Sequence, residues 1–193
     1  MSVYTILLFL HVTGAIGLFI GLGVQWLGLV ALRRVKRIEQ ARGITGLVAI
    51  ADPIGTVCAL LTIGSGLYMA LTVWGIETGW ILVALASIVV IIPPAIGLLI
   101  EPRMRAITTS IQEEADGPLP AALKERIHDP ILGTTLQSMA TLLLGIVFLM
   151  TNKPALPTAI VTTVIALFTG LVLSLPLWRK GGGRMKSRKG GLP

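Results

Sequence analysis

Charge is what this chain lacks most. Asp, Glu, Lys and Arg together make up 13% of 193 residues, whereas a soluble domain carries about 25%. The shortage is concentrated. Residues 1–32, 53–76, 78–100, 130–152 and 154–178 contain none of the four, and each stretch is at least 23 residues long. About 20 apolar residues cross the hydrocarbon core of a bilayer. A water-soluble fold could not hide five such stretches in so short a chain. Barrel strands would be about ten residues long with alternating polarity, and no such pattern occurs. Cysteine is nearly absent: Cys58 stands alone, which excludes an intrachain disulfide. Two histidines, His11 and His128, exclude a multi-histidine metal site. No phosphate-binding loop, dinucleotide fingerprint, Cys/His zinc cluster or nucleophile elbow is present, so the chain reads as non-enzymatic.

What is present is hydrocarbon, with a mean hydropathy of +0.87. The expected fold is all-α: a polytopic membrane bundle of five helices near 4–32, 53–74, 79–100, 131–150 and 156–178. Lipid requires each backbone amide to find its partner within its own segment. The first stretch lacks a basic leader and a small-x-small cleavage pattern, so it reads as a retained span. Residues 1–178 form one transmembrane domain. The glycine-rich tail 179–193 is basic and is expected to be disordered and cytoplasmic.

Net charge is +7, but the bases flank apolar segments, which argues for lipid and against nucleic acid. The first connection holds Arg33, Arg34, Lys36, Arg37 and Arg42, and the third holds Arg103, Arg105, Lys124 and Arg126. The tail holds six more bases, and Lys153 is alone on the opposite side. Cytoplasmic loops of membrane proteins are enriched in Lys and Arg. The count therefore predicts an external N-terminus and a cytoplasmic C-terminus in the plasma membrane, with anionic lipids at the basic flanks. A membrane partner protein or a second copy is the remaining partner class. Tyr4, Trp74 and Trp80 are expected at the outer boundary, and Trp26 and Trp178 at the inner one. Pro118 and Pro120 split the third connection, 101–129, into an acidic half and a short helix at 121–128.

Thr13, Gly17, Gly21 and Gln25 recur every four residues, and Gly17 with Gly21 makes a small-xxx-small packing pair. Small or polar residues also line the second span (Gly55, Cys58, Thr62, Ser65) and the fourth (Thr134, Ser138, Thr141, Gly145). These stripes are expected to face inward and meet one another. Pro93 and Pro94 must break the helix ladder of the third span, freeing carbonyls near Val89 and Val90. Asp52-Pro53-Ile54 and Asp129-Pro130-Ile131 both read as helix starts, with Asp as cap and Pro at the first turn.

Two groups could carry chemistry. His11 lies about 10 Å into the first span from Tyr4, and an ionisable residue at that depth is a functional hypothesis. Met69 lies about 8 Å from the end of the second span, so imidazole and thioether could meet at one level and ligate haem iron or copper. The alternative is a neutral His11 hydrogen-bonded to a neighbouring helix. Toward the cytoplasm, Gln25, Asp52, Thr56, Thr134 and Gln137 form a second polar group, with Glu101, Arg103 and His128 near its mouth. It would serve a small-solute transporter, or else ordinary interhelical hydrogen bonds.

Three short motifs carry a family resemblance: Leu10-His11-Val12-Thr13-Gly14 leading to Gly21 and Gly23, Leu61-Thr62-Ile63-Gly64-Ser65-Gly66, and Met150-Thr151-Asn152-Lys153-Pro154. Over roughly residues 3–154 the chain resembles a bacterial family of predicted integral membrane proteins of undefined function. The first-span histidine is also similar to that of CopD-type copper-resistance proteins and HemJ-type protoporphyrinogen oxidases, which implies haem ligation by His11. HemJ-type catalysis is not implied, because the chain has no second intramembrane histidine and no base inside span two or three.

The charge asymmetry makes a topology prediction. Reporters placed near Gly117 or after Pro193 should read cytoplasm, and one near Asn152 should read the outside. A cytoplasmic signal at Asn152 would overturn the orientation.

Overall fold

The computed structural model describes residues 2–188, with side chains as far as 178. It is helical throughout, with no β-strand among the described residues. Five helical stretches are long and apolar enough to cross a membrane. α1 is Val3–Leu32, capped by the Ser2 hydroxyl, which accepts from Thr5 N–H. α2 is Ile38–Trp74, its last turn widened to a π-helix at Ala70–Trp74. α3 is Gly79–Glu113. A short α4, Ala121–Ile127, precedes α5, Pro130–Asn152, and α6, Leu156–Arg188. The tail expected to be disordered falls on 179–193. The α6 backbone continues helically to Arg188, and residues 189–193 lie outside the described part.

Helix length sets the membrane position. At about 1.5 Å per residue, 21 or 22 residues cover the roughly 30 Å core. Counting from Tyr4, Trp74, Trp80, Asn152 and Leu156 puts the other boundary near Gln25, Asp52, Glu101, Pro130 and Trp178. Gln25 and Asp52 are joined by a hydrogen bond at that boundary. α2 and α3, with 37 and 35 residues, overshoot it, and both overshoot at the basic end.

This corrects two expectations. The helix that carries the second span does not start at Asp52-Pro53; it starts at Ile38, and Pro53 lies inside α2. Its missing N–H leaves the Ala49 carbonyl without its usual helical donor, which is tolerable because Ala49 is exposed near the water boundary. Nor is 101–113 a loop, since Glu101–Glu113 continues the third span. The overhanging segments enclose a water-side core. Leu32, Ile38, Ala41, Ile107, Ile111 and Ile127 are each at most 1% exposed, and Leu29, Leu123 and Leu132 pack with them. Here water drives burial, as in any soluble domain. The turn between α1 and α2 is laced to the segment before α4: Ile38 N–H donates to Gly117 O and Leu119 N–H to Lys36 O, both at 2.9 Å.

Inside hydrocarbon the packing differs. α1 and α2 form one tight antiparallel pair, and α5 and α6 form another. A methyl group added at Gly14 would stand 2.5 Å from Thr62 Oγ1 and 2.9 Å from the Cys58 carbonyl, and one at Gly21 would stand 3.3 Å from Gly55 Cα. One at Gly17 would collide with Cys58 Sγ, and one at Gly28 would meet Val48 at 2.6 Å. Gly17 and Gly21 thus face Cys58 and Gly55 on α2. The seam runs in steps of three or four through His11, Gly14, Gly17, Gly21, Gln25 and Gly28, and Thr13 falls outside it and is exposed. The stripe on α5 meets α6 instead of the first pair: a methyl on Gly145 would lie 2.8 Å from Ala166 Cβ, and one on Gly170 2.5 Å from Ser138 Cα.

α3 widens into π-helix on both sides of its prolines, at Ser87–Ile91 and Ala95–Ile100. A wider turn is one way a helix absorbs missing donors. At the end away from the bases, Trp74 and Trp80 meet edge to face with centroids 5.9 Å apart. Lys153, in the left-handed conformation that ends α5 (φ 49°), places Nζ 4.0 Å from the Trp74 ring centre. Trp80 is 7% exposed, so it packs in protein and not in lipid as a belt residue would.

The seam predicts opposite outcomes for two conservative changes. Gly14→Ala should lower the thermal unfolding temperature in a fixed detergent, at a cost of about 1–3 kcal/mol from overpacking. Gly64→Ala, where a methyl meets nothing within 4 Å, should be neutral or raise it, since alanine is the better helix former. Equal responses would argue against a tight seam.

Candidate functional site

His11 projects from α1 onto α2. Its Nδ1 lies 2.8 Å from the carbonyl oxygen of Thr62. A carbonyl only accepts, so Nδ1 carries a proton and donates; in the neutral ring that leaves the lone pair on Nε2. The ring lies over Gly66, where a methyl would stand 2.7 Å from Cε1. Glycine there lets the imidazole reach the α2 backbone. Thr62 Oγ1 is engaged elsewhere, donating to Cys58 O at 2.8 Å. Met69 is one turn beyond Gly66 on α2 and is 8% exposed. The glycines beside His11 do not open a slot. Gly14 is filled by Thr62 and Gly17 by Cys58, so a flat macrocycle does not enter between α1 and α2.

The expected polar group divides into two pairs. Gln25 Nε2 donates to Asp52 Oδ1 at 2.9 Å across the α1–α2 seam, and Thr56 Oγ1 donates to Asp52 O at 3.1 Å within α2. Trp178 Nε1 donates to Thr134 Oγ1 at 2.9 Å, joining α5 to α6. No hydrogen bond joins one pair to the other or engages the Gln137 side chain among the described residues. Asp52 is exposed at the bilayer boundary, where a carboxylate reaches water and its amide partner together.

Asp129 is legible in the sequence as a helix cap, but the basic-end node centred on it is not. Its Oδ1 accepts from Ile131 N–H at 2.9 Å and so caps α5. Its Oδ2 accepts from Arg103 Nε at 3.0 Å. Its backbone carbonyl accepts from Arg33 Nη2 at 3.0 Å, while Arg33 Nε donates to Ile127 O at 3.1 Å. Arg103 also donates to Leu99 O at 3.0 Å. Pro102 has no N–H for the Leu98 carbonyl, and the Arg103 guanidinium reaches that oxygen at 3.4 Å. Burial pushes the Arg33 guanidinium below its ordinary value, and Asp129 opposes that shift. A fourth tie runs from Arg42, which pairs with Asp116 at 2.6 Å and donates to Glu114 O at 3.0 Å, just past the end of α3. A cation is favourable at a helix C-terminus.

Of the residues named near the mouth, Arg103 enters this node. Glu101 pairs with Arg105, and His128 Nδ1 donates to Lys124 O at 2.8 Å. The node is structural in character and testable. Asp129→Ala removes cap and ion partner together and should cost about 2–3 kcal/mol. Asp129→Asn keeps a capping oxygen and should cost about 1 kcal/mol. Thermal unfolding should rank wild type above Asn above Ala; equal losses for the two variants would show that the cap contributes nothing.

No curated protein and no solved structure matches the chain. A family model does match, over residues 5–154, a span that includes His11, the α1–α2 seam, the water-side core and all of α5. The chain belongs to the family described as predicted integral membrane protein (DUF2269).

Proposed function

We propose that the protein is a non-enzymatic membrane factor that holds a transition-metal group, haem iron or copper, at Nε2 of His11. The observation that carries this reading is the bond from Nδ1 to the Thr62 carbonyl. Metal-ligating histidines commonly donate their other ring N–H to a carbonyl or carboxylate, which fixes tautomer and ring orientation. The backbone of α2 performs that task here, and a backbone acceptor cannot be lost by substitution of a side chain. Met69 is the second donor in this reading, as a soft thioether suited to iron or copper. Bound there, either metal would supply one-electron redox chemistry. Because Thr62 and Cys58 fill the glycine notches, a macrocycle would meet His11 from outside the α1–α2 seam. The basic end faces the cytoplasm of the plasma membrane in this reading, with the N-terminus outside.

A second reading has its own support. The same hydrogen bond ties two helices where little else polar does, so His11 also suits a membrane protein without a prosthetic group that acts through its surfaces. Absorption and metal analysis of one sample separate the two. Protein purified from cells replete with haem and copper should carry a Soret band or stoichiometric copper, and His11→Ala should remove it while the elution profile stays monodisperse. Colourless, metal-free wild-type protein would rule out the ligand reading and leave His11 as an interhelical tie.

A further inference from the structure

We infer that the groove between the end of α1 and the start of α2 binds one anionic phospholipid from the leaflet at the basic end. The groove is shallow and open along one side, with a volume of about 680 Å³. Leu27, Val30, Val35 and Ile44 make its apolar walls, and Arg34 and Gln40 are its polar residues. Lys36 N–H donates to Gln40 Oε1 at 3.3 Å. The acceptor atom of that amide is thereby engaged, and its NH₂ group remains to donate. Arg34 can only donate. Its guanidinium has no ion pair or hydrogen bond among the described residues, and three acids at the basic end are engaged by other arginines: Glu39 by Arg37, Asp116 by Arg42, Asp129 by Arg103. A groove whose polar groups all donate, with a cation among them, suits an anion.

The walls decide which kind of anion. Leu27 is 65% exposed and lies just past the boundary level set by Gln25 and Asp52. Arg34 is one to two turns plus a bend further out, about 10 Å along the chain axis. The groove thus runs from apolar at the bilayer side to cationic at the water side, the polarity order of a phospholipid in that leaflet. A free phosphate would leave the apolar walls wet, whereas an acyl chain would cover them. Lys36, exposed beside the mouth, adds charge that favours a net anionic headgroup over a zwitterionic one.

Native mass spectrometry of delipidated protein, exposed to equal amounts of phosphatidylglycerol and phosphatidylcholine in detergent, tests this. Wild type should retain phosphatidylglycerol in preference. Arg34→Gln should weaken that preference about fivefold. Ile44→Trp, which fills the groove, should remove the retained lipid of either kind, and Val30→Phe serves the same purpose if the first variant does not elute as folded protein. Arg105→Gln, altering a base paired with Glu101 away from the groove, should change nothing. The inference is overturned if wild type shows no preference, or if Arg34→Gln and the filled-groove variant retain lipid as wild type does. Displacement of the lipid by an equal concentration of inorganic phosphate would also overturn it, by showing an anion site without a chain.

Discussion

In hydrocarbon an apolar side chain gains almost nothing by exchanging lipid for protein. The helices of this chain are therefore held in the membrane by closeness of approach: Gly14 against Thr62, Gly21 against Gly55, Gly145 against Ala166, Gly170 against Ser138. Most of the Leu, Ile and Val on α1 and α2 remain turned to lipid, as Ile16, Ile20, Ile54 and Leu60 show. Where α1, α2 and α3 leave the bilayer, water returns and the rule reverses. Ile38, Ile107, Ile111 and Ile127 are then driven together and become almost inaccessible. One chain thus follows two packing rules, and the change occurs near Gln25, Asp52 and Arg103.

Charge follows the same division. The bases that predict orientation also hold the water-side core together. Arg33 and Arg103 converge on Asp129, and Arg42 closes the end of α3. All three depend on backbone carbonyls that helix ends or Pro102 leave short of donors. Arginine suits this because its fork can serve a carboxylate and a carbonyl at once, as Arg103 does with Asp129 and Leu99.

The five spans were legible because hydrophobic length is a coarse, robust signal, and Gly17 and Gly21 were legible because small residues at spacing four have few other uses in a membrane. The water-side core was obscured by its bases: Arg37 and Arg42 flank Ile38 and Ala41, and a charged stretch reads as a loop. The pairs Ile107–Ile111 and Leu123–Ile127, each four residues apart, were the signal that could have revealed it. Pro53 misled in the same way. Asp-Pro-Ile begins α5, yet the identical triplet at Asp52 lies within α2, because helix-start preference is local while the core that extends α2 to Ile38 is not. At the candidate site, the depth of His11 could be read from spacing. Its partner could not, since Thr62 contributes a backbone oxygen, which no side-chain pattern marks. Trp178 as the partner of Thr134 was equally hidden, because helix rotation is set by contacts between distant segments.

The continuity of α2 has a mechanical consequence. A rod of about 55 Å is clamped at one end by Ile38, Ala41 and Arg42 in the water-side core and carries Thr62 about 15 Å beyond Asp52, near the middle of the bilayer. Past Asp52 its outward side carries no protein against Ile54, Val57 or Leu60, so on that side it meets lipid. Any shift of α2 along α1 would therefore move the Thr62 carbonyl oxygen to which His11 Nδ1 donates.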